Sequence, residues 1–386
     1  MTIFEWLERL IAFDTTSRHS NLALIDCVAD WLKEHGANCQ LTHDKDEPKA
    51  NLFATLPASN GSTEGGLILS GHTDVVPVDG QVWHTDPFVM TTIDGRIFGR
   101  GTSDMKGFLA VVLALVPKFK EMKLDYPIHF AFSYDEEIGC RGAPFLIDDL
   151  PNTGFKPRAC IVGEPTEMLP IVAHKGKQSF RCEVHGRAAH SSLTTQGCNA
   201  IEHAARLICF IRDLADDYRQ QGPFDAAYDV PFTTLTTNLI NGGNATNIIP
   251  AWCEFVFEFR HLSEDSPSSI EAKIETFLKD DLLPRMQKES PDANITLSKF
   301  AGAPGLSQVE TAEINQLVRK ITADDEARKA AYATEAGLFQ QAGIPSILCG
   351  PGSIEQAHRA NEFVTVSQLE KCEKFLLEVV RKFNAD

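Results

Sequence analysis

"GGLILSGHTDVVP" (residues 65–77) carries a short apolar run, Leu67 to Leu69, that closes on Gly71, His72 and Asp74. A run of this length, ended by turn and polar residues, reads as a buried strand. "YPIHFAFSYD" (126–135), "PRACIVGEP" (157–165) and "IPSILCGPGS" (344–353) read the same way, each stopped by Gly, Asp or Pro. Between the first two strands lies "SDMKGFLAVVLALVPKFKEM" (103–122). Its length and spacing predict a buried helix that starts just after Asp104, with Pro117 near its end or at a kink. "SQLEKCEKFLLEVVRKF" (367–383) predicts a final amphipathic helix. Strands and helices alternating in this way predict an α/β layer with a mostly parallel central sheet.

The texture changes from about residue 176 to 295. "QSFRCEVHGR" (178–187) alternates as a half-exposed strand, and a helix follows from about Asn199 to Gln220. "FTTLTTNLI" (232–240) and "AWCEFVFEFR" (251–260) are strands, "SPSSIEAKIETFLKDDL" (266–282) is a helix, and "ANITLSKF" (293–300) closes the unit. That order, β-α-β-β-α-β, is the split βαβ, or ferredoxin-like, arrangement. Because α/β sequence flanks it, residues 1–175 and 296–386 are expected to form one α/β domain. Residues 176–295 are expected to form an α+β domain inserted into it.

At 386 residues the chain is too long for one ordinary core. A formal net charge of −17 argues against nucleic acid as a partner, because phosphate contacts need a surplus of Lys and Arg. No apolar run approaches the roughly 20 residues that span a bilayer, and the N-terminus lacks the pattern of a signal peptide, so no membrane partner is expected. The ten cysteines are scattered without a C-x-x-C pair, mostly in apolar contexts. They read as reduced thiols of a cytoplasmic protein.

Five places put a metal-capable side chain at the carboxyl end of a strand or in a loop beside one, which is where ligands bind in open α/β sheets. His72 and Asp74 are two apart in an extended segment and share a face, so a carboxylate there can orient the imidazole. Asp104 in "GRGTSDMKG" precedes a helix, where an N-cap is the plain alternative. Glu136 and Glu137 are adjacent in "YDEEIGCRGA", Glu164 lies in "VGEPT", and His358 lies in "GPGSIEQAHRANEF". Each is weak evidence alone. Together they offer imidazoles and carboxylates without a thiol, a donor set that suits a pair of Zn²⁺ ions, or Co²⁺ or Mn²⁺.

In order and spacing, "GHTDVVP", "GRGTSDMKG", "YDEEIGCRGA", "GEPT", "GRAAHSS" and "GPGSIEQAH" resemble the motifs of the M20 family of di-zinc amidohydrolases and peptidases, over nearly the whole chain. "AHKGK", "ATEAGLFQQAG" and "GPGSIEQAH" are most similar to its acetylornithine deacetylase branch. The resemblance implies that Asp104 bridges two metals, with His72 and Glu164 completing one shell and Glu137 and His358 the other. It implies Asp74 as the partner of His72, Glu136 as general base and His190 of "GRAAHSS" as the group that stabilises the oxyanion. The inserted domain would be a lid and dimerisation domain whose closure assembles the site. Arg260 resembles the arginine that grips a substrate α-carboxylate, and Asn247 in "GGNATN" a polar substrate loop.

Glu335 in "ATEAG" is a further candidate, for a side-chain ammonium of the substrate, against the alternative of a helix-start carboxylate. The expected reaction is hydrolysis of N²-acetyl-L-ornithine to acetate and L-ornithine by a homodimer. A related acyl-amino-acid hydrolase acting on succinyl-diaminopimelate, acetylcitrulline or a dipeptide is the alternative. A non-catalytic sensor would be expected to lack a ligand or the base, and here all are present.

Overall fold

The computed structural model describes residues 1–150, 157–263, 265–309 and 311–385. The chain divides into two compact units, one of residues 1–173, 306–329 and 334–386, the other of residues 174–305 and 330–333.

In the first unit four strands lie side by side and parallel: Ile128–Ser133, Leu67–His72, Ala159–Pro165 and Ser346–Gly350. Each is buried along its whole length. That explains why they read as continuous apolar runs rather than alternating ones. Antiparallel strands extend this sheet on both sides, among them Ala50–Leu56 and Asn38–His43 at one edge. Helix Lys106–Glu121 is buried on nearly every face, from Phe108 to Phe119, and contains Pro117 within its last two turns. Helices Ile3–Ile11 and Val366–Phe383 add Trp6, Leu10, Leu376 and Val380 to the same core.

Asp104 does not cap the buried helix. The capping residue is Met105, with no side-chain hydrogen bond, and the Asp104–Met105 peptide is cis. The carboxylate is therefore left for other partners.

The second unit has four antiparallel strands in the order Thr234–Gly242, Trp252–His261, Gly176–His185 and Asn294–Ala303. Helices Ala200–Gln221 and Pro267–Phe277 interleave with them in the chain order β-α-β-β-α-β. The last strand runs to Ala303, paired along Gly176–His185, so this sheet extends past the expected limit at residue 295. Its Asn294–Phe300 stretch is half exposed and weakly apolar, which leaves no sharp end to read in the sequence. Strand Trp252–His261 alternates strictly, with Phe255, Phe257 and Phe259 buried among the helices and Glu258 and Arg260 on the opposite face. Burying each such ring is worth roughly 1.5–3 kcal/mol.

Candidate active site

The carboxyl ends of the four parallel strands deliver the candidate ligands. His72 ends its strand, Glu164 is the last residue but one of Ala159–Pro165, Glu136 and Glu137 follow Ile128–Ser133, and His358 follows Ser346–Gly350. His72 Nε2 lies 3.0 Å from Asp104 Oδ1 and 3.8 Å from Glu164 Oε1. His358 Nε2 lies 2.9 Å from Glu137 Oε2 and 3.4 Å from Asp104 Oδ2. Asp104 thus stands between the two imidazoles with one oxygen toward each. His72, Asp104 and Glu137 bring one donor atom apiece within 4.8 Å of one another, and so do His72, Glu136 and Glu164.

His72 meets Asp74 through both its main chain and its side chain. Nδ1 is 2.9 Å from the backbone carbonyl of Asp74 and 3.6 Å from its carboxylate, so the nearer acceptor is main chain. The Asp74 carboxylate also accepts from Ser17 Oγ at 2.7 Å and from the backbone N–H groups of Glu136 at 3.1 Å and Glu137 at 3.3 Å. It fixes the turn that carries both glutamates. Neighbouring Asp135, at φ 54°, is held by the buried ammonium of Lys49 at 2.8 Å. Cys140 places its thiol 3.4 Å from Glu136 Oε1.

The electrostatics are unfavourable for so many carboxylates without cations. Burial, added to by the charge of Glu137 despite nearby His72, pushes Glu136 up to about 8. Burial and the charge of Asp104 push Glu137 up to about 7 and raise Glu164 well above the usual range. Against the cost of burial, the His358 and His72 contacts hold Asp104 far below it. His358 is raised to about 10 by its bonds to Asp104 and Glu137. Glu164 Oε1 is buried with no hydrogen-bond partner. Imidazoles and carboxylates around an orphaned carboxyl oxygen form a donor set that fits divalent cations.

Glu335 stands at the start of helix Ala336–Gln341, as the alternative reading had it. It is 1% exposed, and its two oxygens accept from Ser70 Oγ and Ser133 Oγ, each at 2.6 Å. It lies against two central strands of the sheet with each oxygen engaged by a serine hydroxyl, which gives it a structural role there. In the second unit, His190 is exposed, with Nδ1 2.8 Å from Ser192 Oγ. It pairs with Ile248, and Ser191 N–H donates to the Asn247 carbonyl at 3.0 Å, so His190 and Asn247 come together. Arg260 is not with them. It donates through Nε to Glu258 at 3.0 Å and pairs with Lys177, eight residues along its strand from Trp252, or about 27 Å. A separate group, Cys198, His203 and Glu289, is organised by a His203–Glu289 bond of 3.0 Å over a buried thiol.

Sequence reasoning passes over Ser17, Lys49, Arg100 and Glu362. Ser17 sits in "DTTSRHS" without any signal. Arg100 and Glu362 lie only four residues from Asp104 and His358, a proximity that is a usable clue.

The described residues include no helix long and apolar enough to cross a membrane. By fold, the chain is similar to a metallo-carboxypeptidase from Sulfolobus solfataricus, with TM-score 0.78 and 17% identity over 98% of each chain. It is also similar to an aminopeptidase from Bacillus cereus, with TM-score 0.73 and 18% identity over 98% of this chain and 97% of that one. By sequence it is 34% identical over 366 residues to an acetylornithine deacetylase of Pasteurella multocida, spanning 94% of this chain and 92% of the relative. It is 33% identical over 373 residues to an acetylornithine deacetylase of Proteus mirabilis, spanning 96% and 92%. The pattern of peptidase family M20/M25/M40 matches residues 68–382, a span that holds every residue placed at the ends of the parallel strands. With that match and relatives at this identity along most of its length, the chain is a hydrolase belonging to peptidase family M20/M25/M40.

Proposed function

We propose that the chain hydrolyses the amide of N²-acetyl-L-ornithine to acetate and L-ornithine with a pair of divalent ions, Zn²⁺ or Co²⁺. The observation that carries the metal reading is the buried, unpartnered Glu164 Oε1 beside His72 and Asp104. His72, Asp104 and Glu164 would hold one ion, and Asp104, Glu137 and His358 the other. When bound, such ions acidify water and polarise an acyl carbonyl.

The chain's own residues handle the proton and the substrate. Glu136 takes a proton from the attacking water as its oxygen bonds to the acyl carbon. Glu136 then returns that proton to the nitrogen as the C–N bond breaks and the amine leaves. A carboxylate displaced upward by burial suits a group that must both gain and lose a proton. Asp74 holds the Glu136 backbone in place for this. His190 would offset the charge that develops on the carbonyl oxygen. The Arg260 guanidinium donates through Nε to Glu258, and its outer fork would serve a substrate carboxylate.

A homodimer fits the second unit. Its edge strand Thr234–Gly242 exposes Leu239 (67%) and Ile240 (58%), an apolar edge suited to pairing with a second copy.

The choice of substrate rests on the relatives named acetylornithine deacetylase. It is tested by parallel hydrolysis assays on N²-acetyl-L-ornithine, N-succinyl-diaminopimelate and a dipeptide. Preference for the first is expected. Preference for either of the others would replace this substrate by that one.

A further inference from the structure

Glu362 and Arg100 form an ion pair of 2.7 Å whose side chains are each only 1% exposed. Glu362 Oε1 accepts the backbone N–H of Ser103 at 2.8 Å and of Asp104 at 3.0 Å. Oε2 accepts Arg100 Nη1 and the N–H of Gly101 at 3.0 Å. One carboxylate thus gathers four donors from the single segment that presents Asp104.

Arg100 carries the link onward. Nη2 donates to Gln81 Oε1 at 2.7 Å, and Gln81 Nε2 donates to the His358 carbonyl at 2.9 Å. Nη1 also reaches the Arg359 carbonyl at 3.2 Å, and the guanidinium lies over the Trp83 ring at 5.1 Å. His358 sits at φ 64° in a stretch with no helix or strand between Gly350 and Phe363. No ladder or helix therefore sets where its imidazole meets Asp104. A buried ion pair is in general a poor source of net stability, because desolvation offsets its attraction. It is better suited to fixing a geometry.

We infer that Glu362 is a positioning residue which, through Arg100 and Gln81, sets the approach of the Asp104 carboxylate to the His358 imidazole. It would thereby govern the metal ion that His358 and Glu137 hold. This rests on the ligand reading given above. The network bonds to the segments that carry Asp104 and His358, so its effect belongs to metal affinity and turnover rather than to substrate binding.

The test is calorimetric titration of zinc into chelator-stripped wild type, Glu362→Gln, Gln81→Ala and Glu137→Ala, with kcat and KM measured alongside. Wild type is expected to bind in two steps. Glu362→Gln is expected to lose about 10–100-fold in the one step that Glu137→Ala also weakens, and to keep the other. Its kcat falls with KM unchanged, and excess zinc restores part of it, which a general folding defect would not allow. Gln81→Ala, which leaves Glu362 in place, is expected to weaken the same step by less, and it decides the matter if Glu362→Gln does not fold. Retention of both steps and of kcat in these variants would overturn the inference, and so would equal loss from both steps. A wild type that takes up fewer than two ions would reject the ligand reading itself, and this inference with it.

Discussion

The carboxylate of Asp74 accepts the backbone N–H of Glu136 at 3.1 Å, and its other oxygen takes Ser17 Oγ at 2.7 Å. A residue two positions after a metal-capable histidine therefore also holds the turn that bears Glu136, the proposed general base. Asp74→Asn turns one acceptor into a donor facing that turn. It is expected to lower kcat about 10–100-fold while costing about 1–3 kcal/mol of stability. Steady-state kinetics and urea unfolding check the two parts. Unchanged kcat would remove Asp74 from the account.

Glu136 and Glu137 are neighbours with different partners: Glu136 is met by the Cys140 thiol, Glu137 by His358. Glu136→Ala is expected to keep both ions and lose about 10²–10⁴-fold in turnover, the range for a general base. Glu137→Ala is expected to weaken one ion. Metal content after dialysis, read beside kcat, separates the two variants. Equal metal loss in both would end the division of labour.

Glu335 is expected to matter for stability and not for substrate choice. Glu335→Leu leaves the hydroxyls of Ser70 and Ser133 facing an apolar side chain, at a cost of about 1–3 kcal/mol. Glu335→Gln should retain the preference of wild type between acetylornithine and a neutral acetyl-amino acid. A changed preference would return Glu335 to the substrate pocket.

The parallel strands are legible in the sequence because both of their faces are covered, which makes Leu67–His72 and Ile128–Ser133 unbroken apolar runs. Strand Trp252–His261 is legible for the opposite reason, its strict alternation. Edge strand Asn38–His43 ("NCQLTH") is half exposed and mixed in composition, and carries no such signal. The chemistry of the site is visible as residue types at strand ends, but depth is not. Glu335 shows its carboxylate in the sequence, whereas the serines that occupy it come from two strands brought together only by the sheet. Asp104 before a helix is equally readable as a cap. The contacts of 3.0 and 3.4 Å to two distant histidines favour the other role.

Acid sensitivity follows from His129, buried on strand Ile128–Ser133. Its Nε2 donates to the Gly65 carbonyl at 2.7 Å and its Nδ1 lies 2.9 Å from Thr55 Oγ1. Burial, despite the Gly65 bond, lowers it to about 4. The unfolded chain takes up this proton at about pH 6.5, the ordinary histidine value, and the folded chain only near 4. Stability is therefore lost as pH falls through that window, by up to about 3 kcal/mol from this ring. Urea unfolding across the window should show a shallower dependence in His129→Gln than in wild type. An identical slope would contradict this.

The central claim, a pair of ions serving one amide-hydrolysing site, is tested most directly by reconstitution. Chelator-stripped protein is titrated with zinc while release of ornithine from N²-acetyl-L-ornithine is followed. Activity is expected to be absent without metal and to saturate at two ions per chain. Full activity in the stripped protein, or none at saturation with metal, would contradict the account.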